Sequence, residues 1–140
     1  MRNHTVIFDS SLWIALYLEN DIFHYEAMRI MGGYEKRKYR IIVPLLVLIE
    51  LITVLTRKGV DILKIRKICK YIKCTEAYKI LSIPDDDLIE LALNNAGQIS
   101  LKTQDYIIFL HYVKLKPAKF ESFDTKLLKF TNFYKNSHDS

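Results

Sequence analysis

The chain has 140 residues, half of them apolar, and carries a formal net charge of +5. That length fits one domain spanning 1–140, and that apolar content supports a continuous core, which excludes a disordered tail-like protein. The positive balance suits a polyanionic partner such as RNA or DNA, though it also fits a plain solvated basic surface.

Val6-Ile7-Phe8 is a short apolar run ending at Asp9, which predicts a buried strand. Ser10 or Ser11 then stands where a cap is expected for a helix beginning near Leu12. An amphipathic pattern follows, with Phe23, Ala27, Ile30, Met31 and Tyr34 on one face. Arg40 to Val43 predicts a second strand, and Pro44 starts a helix over Leu45–Lys58. This helix is apolar nearly all round, which places it in the middle of the fold, and Gly59 ends it. Asp61 caps a cationic helix whose Ile62, Ile65, Ile68, Cys69 and Ile72 face inward.

Tyr78 to Ile83 predicts a third strand; Pro84 with Asp85, Asp86 and Asp87 opens a helix to about Asn95, and Gly97 stops it. Ser100 to Val113 predicts another helix with Asp105 in its first turns. Ala118 to Ser122 reads as a fourth strand just before Asp124, then a short helix over Thr125–Phe130 and a last strand near Phe133. Strands alternating with helices imply an α/β sandwich around a mainly parallel sheet.

No second cysteine pair and no ligand-spaced histidines accompany Cys69 and Cys74, which argues against zinc and for reduced thiols. Residues 1–5 lack the features of a signal peptide. The run from Ile41 to Leu55 is broken by Pro44 and Glu50 and is shorter than the ~20 residues a membrane span needs. The expectation is a cytoplasmic protein with no membrane partner.

Four acids stand out. Asp9 and Asp124 fall at strand ends, the edge where open α/β sheets bind ligands, although a turn or cap role explains each one singly. Glu50 lies among Val47, Leu48, Ile49, Leu51 and Ile52, where an ionised carboxylate is costly unless it meets a cation or salt-bridge partner, or an exposed polar strip with Thr53. Asp105 gains from the positive end of its helix or simply sits in a first turn. Oxygen donors without His or Cys suit a hard cation such as Mg²⁺, and such an ion assists displacement at phosphorus.

With these motifs the chain resembles the PIN-domain ribonucleases, and among them the VapC-type toxins of toxin–antitoxin pairs. The resemblance rests on Val6-Ile7-Phe8-Asp9-Ser10-Ser11, Leu48-Ile49-Glu50-Leu51, Lys102-Thr103-Gln104-Asp105-Tyr106, and Ser122-Phe123-Asp124 with its trailing basic-hydrophobic helix. Ser122 stands where the family has threonine, and the segment from Tyr106 to Lys114 is unusually aromatic and basic; at helical spacing those rings are expected to pack. The resemblance implies a PIN-like three-layer α/β/α sandwich. It also implies that Asp9, Glu50, Asp105 and Asp124 hold one or two Mg²⁺ or Mn²⁺ ions for endonucleolytic RNA hydrolysis, leaving 5′-phosphate and 3′-hydroxyl ends. Ser10 and Ser122 would orient those carboxylates. A homodimer and an inhibitory antitoxin protein are further implications. The rival reading is a PIN-like scaffold that binds RNA or protein without cutting. Phosphatase and phosphate-accepting receiver folds fit poorly, since Ser11 stands where the former needs a second aspartate and the acidic pair of the latter is missing.

Overall fold

The computed structural model describes residues 4–97 and 100–138, and among them it contains four strands and seven α-helices. The strands are β1 (Thr5–Phe8), β2 (Arg40–Pro44), β3 (Tyr78–Leu81) and β4 (Lys119–Glu121), in the order β3-β2-β1-β4. Every pairing is parallel: Val6 lies opposite both Ile41 and Lys119, and Ile41 opposite Tyr78.

Parallel strands need long crossovers, and helices supply them. Helices α1 (Ser10–Tyr17) and α2 (His24–Lys36) join β1 to β2, and α3 (Leu45–Arg57) with α4 (Ile62–Cys74) joins β2 to β3. Helices α5 (Asp85–Asn94) and α6 (Thr103–Leu115) return the chain across the sheet to β4, and α7 (Thr125–His138) follows. The first two crossovers step in one direction and the third reverses. Because such connections are right-handed, α1–α4 fall on one face and α5–α6 on the other. In the packing α1 lies on α2 and α3, α3 on α4, α5 on α6, and α6 on α7, while α3 also meets α6. This is the expected α/β/α arrangement, and its reversal point lies between β1 and β4.

A strand covered on both faces must be apolar on both, which is why β1 reads as an unbroken run. Val6, Ile7 and Phe8 are fully buried, and Val6 and Phe8 join Leu12, Trp13, Leu51, Leu55, Phe109 and Leu127 in the core. Burial of each such side chain contributes about 1.5–3 kcal/mol. Gly59 closes α3 with φ +80, a conformation that favours a residue without Cβ. Asp61 caps α4 as expected, its carboxylate accepting from the Leu63 amide at 3.1 Å.

The structure corrects several expectations. No strand forms near Phe133; α7 continues through it to His138, burying Leu127 and Thr131 one turn apart and leaving Phe133 exposed. Ile62 is not inward but 56% exposed, because the first turn of α4 overhangs the core that Ile65, Ile68 and Ile72 enter. Helix α3 is less enclosed than its composition implied: Val47, Leu48, Leu51 and Leu55 are buried while Leu45 and Ile49 face solvent. The rings of α6 do pack, with Phe109 fully buried and edge-on to Tyr134 at 5.7 Å.

Candidate active site

Asp9 follows β1 directly and occupies the N-cap position of α1, which begins at Ser10 rather than near Leu12. Its amide donates to the Glu121 carbonyl at 3.1 Å, extending the β1–β4 ladder to the carboxyl edge of the sheet. Its side chain is only 3% exposed. The Ser11 hydroxyl donates to Asp9 Oδ1, and the Ser122 hydroxyl donates to Asp9 Oδ2. Each hydroxyl is itself held by a backbone donor: the Phe123 amide reaches Ser11 Oγ at 2.9 Å, and the Asp124 amide reaches Ser122 Oγ at 2.8 Å. Burial nonetheless pushes the Asp9 carboxyl up to about 6, against the lowering effect of the two serines and the Leu12 amide, with Asp124 adding a further upward push.

Glu50 lies midway along α3, and the Ser10 hydroxyl donates to its Oε2 at 2.8 Å. Its Oε1 is buried with no hydrogen-bond partner. Burial raises the Glu50 carboxyl, and the charge of Asp105 raises it further. None of the ion pairs among the described residues involves Glu50, so neither Arg57 nor a lysine neutralises it. Asp105 is the third residue of α6; burial and Asp124 push its carboxyl up, while Lys102 and Lys126 pull it down. Asp124 caps α7, its Oδ1 accepting from the amides of Lys126 at 3.0 Å and Leu127 at 3.2 Å.

All four predicted acids therefore belong to one electrostatic cluster at the β1–β4 switch point: Asp9 couples to Asp124, Asp124 to Asp105, and Asp105 to Glu50. The Ser122 hydroxyl thus bonds Asp9, and the Ser10 hydroxyl bonds Glu50. Ser11, expected as a helix cap and as part of the strand-end motif, also bonds Asp9; its place two residues after a strand-end aspartate is the available signal. The Asp85–Asp87 run stays outside the cluster, in the first turn of α5, with Asp87 facing Lys114 at 3.9 Å.

The donor set fits a hard divalent cation. It is made of carboxylate oxygens, three of its members are raised by burial and by a neighbouring acid, and Glu50 Oε1 is a buried acceptor without a donor. Among the described residues, no three acidic, histidine or cysteine side chains stand within chelating range of one another.

The sequence profile of the PIN domain matches residues 6–132. This chain belongs to the PIN-domain family. The match takes in all four acids and every strand residue but Thr5. No curated protein gives a significant sequence match. Among solved structures, this PIN domain is similar to Mycobacterium tuberculosis VapC20, described as a toxin that cleaves the sarcin–ricin loop. The TM-score is 0.72 at 19% identity, covering 89% of this chain and 93% of that one. At that identity the likeness is one of fold.

Proposed function

We propose that this PIN-domain protein is a divalent-metal-dependent endoribonuclease and the toxin of a type II toxin–antitoxin pair. In this reading Asp9, Glu50, Asp105 and Asp124 hold Mg²⁺ or Mn²⁺. The observation that carries it is Glu50: a carboxylate on an apolar helix, with one oxygen buried and unpartnered and a second acid beside it. A group so placed is costly to the fold unless a cation offsets it. When bound, such a cation supplies Lewis-acid polarisation at a phosphodiester and makes water more acidic.

The chain's own residues prepare that chemistry. Ser11 and Ser122 fix both oxygens of Asp9, Ser10 orients Glu50, and the amides opening α7 hold Asp124. Lys102 and Lys126 lie close enough to Asp105 to act on its charge, which suits the approach of a polyanion. Farther out, α4 presents Lys64, Arg66, Lys67, Lys70 and Lys73 to solvent with no acid among them, a face fitted to RNA phosphates. A homodimer, a cognate antitoxin covering the acidic edge and a cytoplasmic location complete the reading. Among the described residues, no helix is long and apolar enough to cross a membrane.

The test is incubation of the purified protein with Mn²⁺ or Mg²⁺ and cellular RNA. A sarcin–ricin-loop hairpin, the substrate class of VapC20, is included, beside Asp9→Asn and EDTA controls. Cleavage that requires the ion and Asp9 is the expected result. The absence of three acids in chelating range favours one other reading, a scaffold that binds without cutting. RNA binding without cleavage, unchanged in Asp9→Asn, would select it.

A further inference from the structure

Phe123 stands between the serine that grips Asp9 and the acid that caps α7, and its own amide is bonded to Ser11. Its ring is stacked on Phe23, with centroids 4.4 Å apart and planes 9° from parallel. Phe23 is at the N-cap position of α2 and is held on both sides of its backbone. Its amide donates to Asp21 Oδ1 at 2.8 Å, and its carbonyl accepts from the Ala27 amide at 2.8 Å. Yet Phe23 is 41% exposed, and its neighbours Ile22 and Tyr25 are 88% and 82% exposed.

A ring on an anchored backbone, parallel to a ring of the acidic loop and 41% exposed, is poorly explained as core packing. From this geometry we propose that Phe23, backed by Phe123, is the stacking platform for an unpaired RNA base next to the phosphate presented to the acids. The inference rests on the nuclease reading of the same site. Every base has a π-face, so such a platform tolerates sequence. It discriminates by structure instead: a base in a duplex is already stacked, whereas one splayed from a loop is free to lie on an aromatic side chain. The cations near Asp105, Lys102 and Lys126, favour the phosphates flanking that base over an aliphatic protein segment.

The experiment uses the full chain in an Asp9→Asn background with EDTA, so binding is read without cleavage. Phe23→Trp places an indole on the platform, while the native Trp13 is fully buried. Titration with a single-stranded oligoribonucleotide should quench the new emission, and a blunt duplex of the same sequence should quench it far less. Phe23→Leu, which keeps an apolar staple over Phe123, should weaken single-strand binding about tenfold, with Phe23→Trp restoring it. With Asp9 intact, Phe23→Leu should raise KM by a similar factor and leave kcat nearly unchanged.

Leucine binding as well as phenylalanine, with no quenching in the tryptophan variant, would overturn the proposal and reduce the stack to a structural staple. An emission shift produced by a leucine-rich peptide but not by RNA would overturn it in favour of protein docking. Cleavage without quenching sinks the platform alone. Quenching without cleavage in the Asp9-containing protein sinks the nuclease reading and leaves a single-strand binding surface.

Discussion

The hydroxyls of Ser11 and Ser122, 111 residues apart in the chain, lie 3.5 Å from each other and hold opposite oxygens of the Asp9 carboxylate. Each passes on the polarisation of a backbone amide, so the carboxylate sits at the end of two parallel hydrogen-bond chains. Replacing either serine by alanine removes one donor from a buried carboxylate and the acceptor of a backbone amide. Ser11→Ala and Ser122→Ala should each destabilise the fold by about 1–3 kcal/mol in urea unfolding. Both should also slow metal-dependent cleavage. Wild-type stability and rate in Ser11→Ala would show that the hydroxyl is dispensable.

The raised pKa of Asp9 has a definite sign in stability. Between its ordinary value of 3.8 and about 6, the folded protein holds this proton more tightly than the unfolded chain does. Without metal, stability therefore falls as pH rises through that window, and at neutral pH the charged, buried carboxylate costs about 3 kcal/mol. Asp9→Asn should melt higher than wild type at pH 7.5 in EDTA, and the difference should shrink towards pH 4.5. A variant that melts lower at neutral pH would refute this.

Glu50→Gln preserves volume and an acceptor for Ser10 while removing the charge that Asp105 repels. It should be as stable as wild type or about 1 kcal/mol more so. Mn²⁺ binding, followed by calorimetry, should fall by more than the roughly 10–100-fold typical of losing a ligand's supporting partner. Ser10→Ala, which removes such a partner, should fall within that range. Unchanged Mn²⁺ affinity in Glu50→Gln would remove this residue from the metal site.

The exposed cations of α4 make a prediction about salt. Each phosphate contact on a single strand contributes about 0.7 to the slope of log affinity against log salt. The combined Arg66→Gln, Lys67→Gln and Lys70→Gln protein should show a slope shallower by about 2, with an unchanged melting temperature. All three side chains lie outside the core. An unaltered slope would mean that RNA passes elsewhere.

The parts of this site legible in the sequence are those with a local cause. A strand covered on both faces must be apolar, and the residue ending it must lie at the sheet edge, so Asp9 and Asp124 were placed by pattern. Glu50 was marked by the expense of its surroundings. Ser11 was not, because a serine after a strand reads as a cap, and only a loop 111 residues away gives it another use. Spacing puts Phe23 on the inner face of an amphipathic helix and does not reveal that its ring lies over the Phe123 loop. The end of the chain failed for a similar reason. Aromatic residues near Phe133 suggested a strand, but α7 continues there along the spacing of Leu127, Thr131 and Tyr134.

The pairing of β1 with β4 joins residues such as Phe8 and Glu121 that lie far apart in the sequence. A nascent chain that has emerged only as far as α6 already carries Asp9, Glu50 and Asp105, but not the strand that brings Ser122 and Asp124 beside them. Its first aspartate has one serine instead of two, and the fourth acid is still to be made. Long-range contacts of this kind are the slowest to form. For a protein proposed to destroy RNA, synthesis is thereby its own safety interval, since a partly made molecule cannot assemble the acid cluster.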